Sequence, residues 1–183
     1  MIRICIGGMT ASGKTALGQM LAKELNVMHI TKHDVDTFHK ATEEARRSRE
    51  SHLGVIQATS TKKYAKQFDD EFVSMASKNN CVVTTWLGPW LVKDATLRVW
   101  LNAPIEERVK RRARDWKLKL REAKRLIDEK DRQNIKTFKK IQGIDIEDHS
   151  IFDMELNTGR LSLNQMVSLI SMLALTKERK PFA

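Results

Sequence analysis

The chain has 183 residues, a net charge of +10, and 41% hydrophobic against 31% charged residues. This is the composition of a soluble globular protein with one well-filled core. No apolar run approaches the roughly 18 residues of a membrane span, and glycines at positions 7 and 8 interrupt the amino terminus too early for a secretory signal. Cys5 and Cys81 fall in expected core strands and have no zinc-type spacing to the five histidines. Two buried thiols suit a reducing, cytoplasmic setting.

Residues 2–6 form the first strand. Directly after them comes GGMTASGKT, which fits G-x-x-x-x-G-K-[ST] with Gly8, Gly13, Lys14 and Thr15. The context is the required one, a strand before and a helix after, with Leu17, Met20, Leu21 and Leu25 on the buried side of that helix. Glycines let the backbone curl so that its N–H groups converge on a phosphate, and the helix N-terminus adds positive charge. The expected cradle is Gly7, Gly8, Met9, Thr10, Ala11, Ser12 and Gly13. Lys14 reaches the β- and γ-phosphates, and the Thr15 hydroxyl ligates Mg²⁺. The loop reads as the seat of a nucleoside triphosphate, with ATP as phosphoryl donor. The guanine-reading N-K-x-D of a GTPase is absent from the sequence.

A second strand covers 27–30, and Asp34 and Asp36 follow it, at the mouth of the sheet where open α/β folds bind ligands. Residues 35–80 form a polar helical insert, in which Tyr64, Phe68, Phe72 and Met75 repeat as a core stripe. Strands at 81–85 and 97–101 come next; Trp86 and Trp90 after the first of these are placed to stack on a base. Between Glu106 and Lys140 there are 15 Lys and Arg against 7 Asp and Glu. The basic arm reads as a clamp for a polyphosphate or a nucleic-acid surface. A strand at 151–156 and a final helix opened by the capping box Ser162-Leu163-Asn164-Gln165 complete the chain. The alternation predicts an α/β fold, a five-stranded parallel sheet with helices on both faces. One domain is expected, with its core at 1–34, 81–105 and 143–183, an acceptor-binding insert at 35–80 and a basic lid at 106–142. His33 and His149 read as structural.

The stretches "KDATLRVWLNAPIEERVKRRARD", "IQGIDIEDHSIFDMELNTGR" and "VVTTWLGPWLVKDA" resemble the archaeal-type cytidylate kinases of the nucleoside monophosphate kinase group. The resemblance spans nearly the whole chain. It implies a P-loop kinase fold, ATP and Mg²⁺ as donor and cofactor, and transfer of the γ-phosphoryl to CMP or dCMP. It also implies that Arg108, Arg111 and Arg114 are lid arginines over the donor, with Arg111 and Arg114 acting alongside Lys14 and Asp34 in catalysis. The chain departs from the family's pattern in its loop, Met9 to Gly13, and where His39, Trp86, Lys130 and Thr137 stand in place of arginines. Arg46 and Arg47 are candidate replacements for the acceptor phosphate, with Asp36, His39 and Trp86 beside them.

"HDVDTFHK" also resembles the Asp-Asp-Phe-Phe-Lys region of nicotinamide riboside and uridine kinases, in which Asp34 would be a base rather than a metal ligand through water. The rival functions are therefore a hydroxyl-acceptor kinase, a nucleic-acid-associated P-loop protein and a kinase fold without turnover. The convergent spacing of the three arginines favours an enzyme acting on small molecules, with at most weak, salt-sensitive nucleic-acid binding; a monomer is expected.

Overall fold

The computed structural model describes residues 1–36, 40, 43 and 61–179. Five strands make one all-parallel sheet: β1 (Arg3–Gly8), β2 (Met28–Ile30), β3 (Cys81–Val83), β4 (Leu97–Asn102) and β5 (Met154–Asn157). Their spatial order is β2-β3-β1-β4-β5, so β1 lies at the centre and delivers its carboxyl end to the middle of one sheet edge. The five expected strands are all present, with ends shifted by a few residues.

The strands are apolar on both sides because both faces are covered. Ile4 and Ile6 of β1 point into one core with Leu17 and Leu21 of α1 (Lys14–Leu25), and with Met166, Val167 and Ile170 of the last helix. Cys5 points the other way, towards Phe72 and Ala76 of α2 (Lys62–Lys78), in a second core that also takes Val35 and Val83. The short α3 (Gly88–Leu91), with proline in its first turn, follows β3. Both thiols are free and buried, and burial pushes both up, Cys81 to about 11, so neither is a nucleophile at neutral pH.

The basic segment is a helical hairpin, α4 (Ile105–Trp116) and α5 (Leu120–Gln142). Val109 and Ala113 pack on Ala123 and Ile127, and Ala11 of the glycine-rich loop packs against the same cluster. Gly143 ends α5 at φ 70, the left-handed conformation that favours glycine at a helix C-terminus. The last helix, α6 (Leu163–Arg179), opens on the expected capping box: Gln165 N donates to Ser162 Oγ at 3.3 Å, and Ser162 N to Gln165 Oε1 at 2.9 Å. One expectation fails in α1, where Met20 faces solvent rather than the core. The α1 stripe is narrower than its spacing implied, because Leu17, Gly18, Leu21 and Ala22 already fill the contact with the sheet.

Candidate active site

The glycine-rich loop leaves the carboxyl end of β1 at Gly8, with φ 142. A Cβ there would lie 2.6 Å from Ser12 Oγ and 2.8 Å from the Leu101 carbonyl oxygen, so no other residue fits. Ala11 is held at φ 61 and Gly13 at φ 101, left-handed positions that turn the backbone around the cradle.

The loop's carbonyl oxygens are taken one after another by cations. Lys14 Nζ donates to Gly8 O, and to Met9 O at 2.8 Å. Arg108 Nη1 donates to Thr10 O at 3.2 Å. Ser12 O accepts from Arg111 Nη1 and from Thr158 Oγ1, both at 3.1 Å. Arg111 is itself fixed to Thr158, through Oγ1 at 2.8 Å and the carbonyl at 2.6 Å. With these carbonyls engaged, and with Thr10 N and Ser12 N bonded to Asp131 Oδ1 and Met9 O, the loop's remaining N–H groups form the edge available to an anion.

Two cavities open on either side of the loop and share Ala11, Lys14, Thr15 and Arg112. The first, about 630 Å³, is walled by Gln19, Arg111, Arg114, Thr158 and Leu161. The second, about 470 Å³, runs along one face of α5, past Lys130, Asn134, Thr137, Phe138 and Gln142. Opposite lie Thr31, Lys32, Tyr64, Phe68, Asp69 and Trp86. Lys130 and Gln142 stand twelve residues apart on α5, about 18 Å at the helical rise. The loop lies at the Lys130 end, where Thr10 N donates to Asp131 Oδ1 at 3.1 Å. Four rings line the cavity: Tyr64 stacks on Phe68 at 5.9 Å, and Trp86 meets Phe138 at 6.0 Å. At the far end Gln142 Nε2 approaches Asp69 Oδ2 at 3.4 Å, and burial raises the Asp69 carboxyl.

The loop end of this cavity is strongly cationic. Burial, outweighing the pull of Asp131, holds Lys14 down at about 7. Desolvation, then Lys130 and Arg112, bring Lys32 to about 8. Desolvation and Arg112 lower Lys130, while desolvation lowers Arg112. Among the described residues neither Arg112 nor Lys130 makes an ion pair; Arg112 lies over the Trp116 ring, 4.3 Å from its centroid. Arg112 and Lys130, crowded and without an ion-pair partner among the described residues, favour an anion beside them.

The expected site residues divide. Gly8, Met9, Thr10, Ser12, Lys14, Arg108 and Arg111 come together at the loop, and Trp86 sits over Lys14, its centroid 5.1 Å from Nζ. Thr15 lies between the two cavities. Gly7 lies under Trp100, beneath the cradle. Arg114 is 77% exposed and pairs with its neighbour Asp115. Asp34 lines neither cavity; its Oδ2 caps a 3₁₀ turn by accepting from Thr31 N and Oγ1, both at 2.7 Å. Asp36 is exposed, with its N–H donating to Glu71 at 2.7 Å. Trp90 packs edge-on to Trp100 and Phe152, away from the cavities. His149 packs at 4.3 Å on Trp100 and bonds Glu155, as a structural histidine should. His33 lines the second cavity. His39, Arg46 and Arg47 lie outside the described residues. Sequence reasoning missed Arg112, Lys32, Asp131 and Thr158 as site residues. Arg112 was findable, being four residues from Arg108 and so on the same helical face.

Residues 3–160 match the model of the cytidylate kinase-like family. The cytidylate kinase of Thermococcus kodakarensis is 34% identical over 156 residues, 85% of this chain and 79% of that protein. The cytidylate kinase of Sulfurisphaera tokodaii is 31% identical over 170 residues, 91% and 92% of the two chains. Among solved structures, an uncharacterised protein from Eubacterium ventriosum superposes with a TM-score of 0.71 at 14% identity, covering 96% of this chain and 99% of the other. A shikimate kinase from Bacteroides thetaiotaomicron gives 0.59 at 16% identity, covering 94% and 97%. A gluconokinase from Sinorhizobium meliloti gives 0.62 at 11% identity, covering 97% and 94%. These structural likenesses concern the P-loop kinase fold.

Proposed function

We propose that this chain, which belongs to the cytidylate kinase-like family, transfers the γ-phosphoryl of ATP to CMP or dCMP. It is a nucleoside monophosphate kinase by family, and its relatives carry the name cytidylate kinase. The observation that carries the acceptor assignment is the shape and charge of the second cavity. Its loop end gathers Lys14, Lys32, Arg112 and Lys130, and four aromatic rings line it. That arrangement suits a phosphate monoester with a base attached.

A hydroxyl acceptor would need a carboxylate near the loop to take its proton. Asp69 is the one carboxylate among this cavity's described lining residues, and it bonds Gln142 at the end remote from Lys130. Asp34 is engaged in its cap. A phosphate acceptor arrives as an anion, needs no base, and needs cations to relieve its repulsion with the donor.

In this reading the loop amides and Lys14 bind the β- and γ-phosphates, and Arg112, common to both cavities, faces the transferring group. The α4–α5 hairpin is the lid, 35–80 is the acceptor insert, and the remaining segments are the core. Arg108 and Arg111 shape the loop rather than contact phosphate, and Arg114 is the solvent-side lid arginine. His39, Arg46, Arg47 and Asp36 remain assigned to the acceptor side. The donor set fits Mg²⁺, a hard cation that takes few protein ligands and keeps water and phosphate oxygens. The Thr15 hydroxyl, open to both cavities, would hold it, and Asp34, which lines neither cavity and uses Oδ2 in its cap, would reach it only through water; the bound ion would neutralise charge on the phosphates. We place the enzyme in the cytoplasm, as a monomer with at most weak nucleic-acid affinity.

The test is an acceptor panel with Mg-ATP, scored by ADP release. CMP and dCMP should exceed UMP, AMP, cytidine, uridine and nicotinamide riboside in kcat/KM. Turnover on a free nucleoside, abolished by Asp34→Asn, would overturn the reading in favour of a hydroxyl kinase.

A further inference from the structure

Thr10 is bracketed from both sides by one ion pair that comes from outside the loop. Its N–H donates to Asp131 Oδ1 at 3.1 Å, and its carbonyl accepts from Arg108 Nη1 at 3.2 Å. The same Arg108 Nη1 lies 2.5 Å from Asp131 Oδ2. Both side chains are almost withdrawn from water, at 13% and 9% exposure. Asp131 sits on α5, Arg108 on α4, and Thr10 immediately precedes Ala11, which is held in the left-handed region at φ 61.

A non-glycine residue keeps such a conformation only where its surroundings impose it. Thr10 O is held on one flank of Ala11, and Ser12 O on the other, by Arg111 and Thr158. The anchors belong to the hairpin and to the turn after β5, so the loop's curl is set largely by elements other than its own strand and helix. The cluster also has unmet polar capacity: Thr10 Oγ1 and Arg108 Nε are buried without a hydrogen-bond partner. Removal of Asp131 would therefore leave a buried guanidinium bonded only to the Thr10 carbonyl among these groups.

We infer that Asp131 is a positioning residue for the phosphate loop, which fixes the Thr10 peptide through its ion pair with Arg108 and so ties the loop's curl to the docking of α5. Asp131 itself lines neither cavity, whereas Thr10, whose peptide it fixes, borders the second. The inference rests on the loop binding the donor triphosphate, and is independent of which acceptor is used.

The experiment measures KM for ATP and for the acceptor separately in Asp131→Ala and Asp131→Asn, alone and combined with Thr10→Pro. Proline has no N–H, so it removes the group that Asp131 accepts from. Asp131→Ala should raise KM for ATP by about ten- to a hundredfold, the weight of one hydrogen bond to a charged group. The KM of the acceptor should rise less, since of the loop only Thr10, Ala11, Lys14 and Thr15 border its cavity. In the Thr10→Pro background, Asp131→Ala should raise KM for ATP much less than it does alone, because both changes remove the bond from Thr10 N–H to Asp131. If Asp131→Ala does not fold, Asp131→Asn alone tests the ion pair: it removes the charge facing Arg108, keeps an oxygen for Thr10 N–H, and should still raise KM for ATP more than that of the acceptor. Equal changes in both KM values, or full additivity with Thr10→Pro, would reduce Asp131 to a structural residue and overturn the inference. An enzyme with normal ATP binding and no turnover on any monophosphate would instead contradict the acceptor assignment.

Discussion

Lys14 carries most of the chemistry expected at the single-residue scale. Its ammonium bonds the carbonyls of Gly8 and Met9 and lies over Trp86, among the cations Arg108, Arg112 and Lys130. Burial brings it to about 7 from an ordinary 10.5. At pH 8 most molecules then hold a neutral Lys14, and a polyphosphate beside it restores the charged form. Triphosphate binding at about pH 8 should therefore take up a proton, and binding at about pH 6 should take up almost none from this group. Calorimetric titration in two buffers of different ionisation enthalpy measures this directly; a buffer-independent enthalpy at pH 8 would contradict it. Lys14→Met, which keeps the stem and removes the charge, should lower kcat by about 10²–10³, the scale of losing one preorganised donor to developing charge. An unchanged circular dichroism spectrum is expected alongside, since Lys14 belongs to neither sheet core.

At the scale of elements, α4 distributes its arginines by face. Arg108 and Arg111 turn to the loop carbonyls, Arg112 to both cavities, and the largely exposed Arg114 to the first cavity and solvent. Arg111→Ala should therefore cost at least about tenfold in kcat/KM for ATP, because three charge-assisted hydrogen bonds to the loop and Thr158 disappear. Arg114→Ala should cost no more than about threefold, as expected of an exposed ion pair. Equal losses would show that Arg114 reaches the donor during turnover. Helical spacing in the sequence put Arg108, Arg111 and Arg114 on one face, and it did so correctly for the first two. What spacing cannot encode is the target. A guanidinium bonds a backbone carbonyl as readily as a phosphate, and only the approach of α4 to the loop decides between them. The strands were legible because parallel strands buried on both faces read as continuous apolar runs. Arg3 is the exception, a buried cation in β1 that pairs with Asp94 and bonds Ala76 O, partners distant in sequence.

At the scale of the molecule, the fold places two cavities against one loop and lets the basic hairpin contribute to both. The donor site was legible because a phosphate cradle is written in contiguous residues. The proposed acceptor site was not, because the cations that join Lys14 there come from three other places: the turn after β2, α4 and α5. Lys32, Arg112 and Lys130 lie far apart in the chain and converge only once α5 packs across the loop. Part of the hairpin's charge, in Arg108, Arg111, Arg112 and Lys130, turns to the loop and its cavities, while Lys110, Lys124 and Lys139 sit in exposed ion pairs. The central claim is that the acceptor's nucleophile is a phosphate oxygen. Phosphorus-31 NMR of the products formed from Mg-ATP and CMP tests it most directly. The account predicts the coupled doublets of a new diphosphate, with its β-phosphorus derived from the γ-phosphoryl of ATP. A new uncoupled phosphomonoester signal, with no second diphosphate beside ADP, would contradict it.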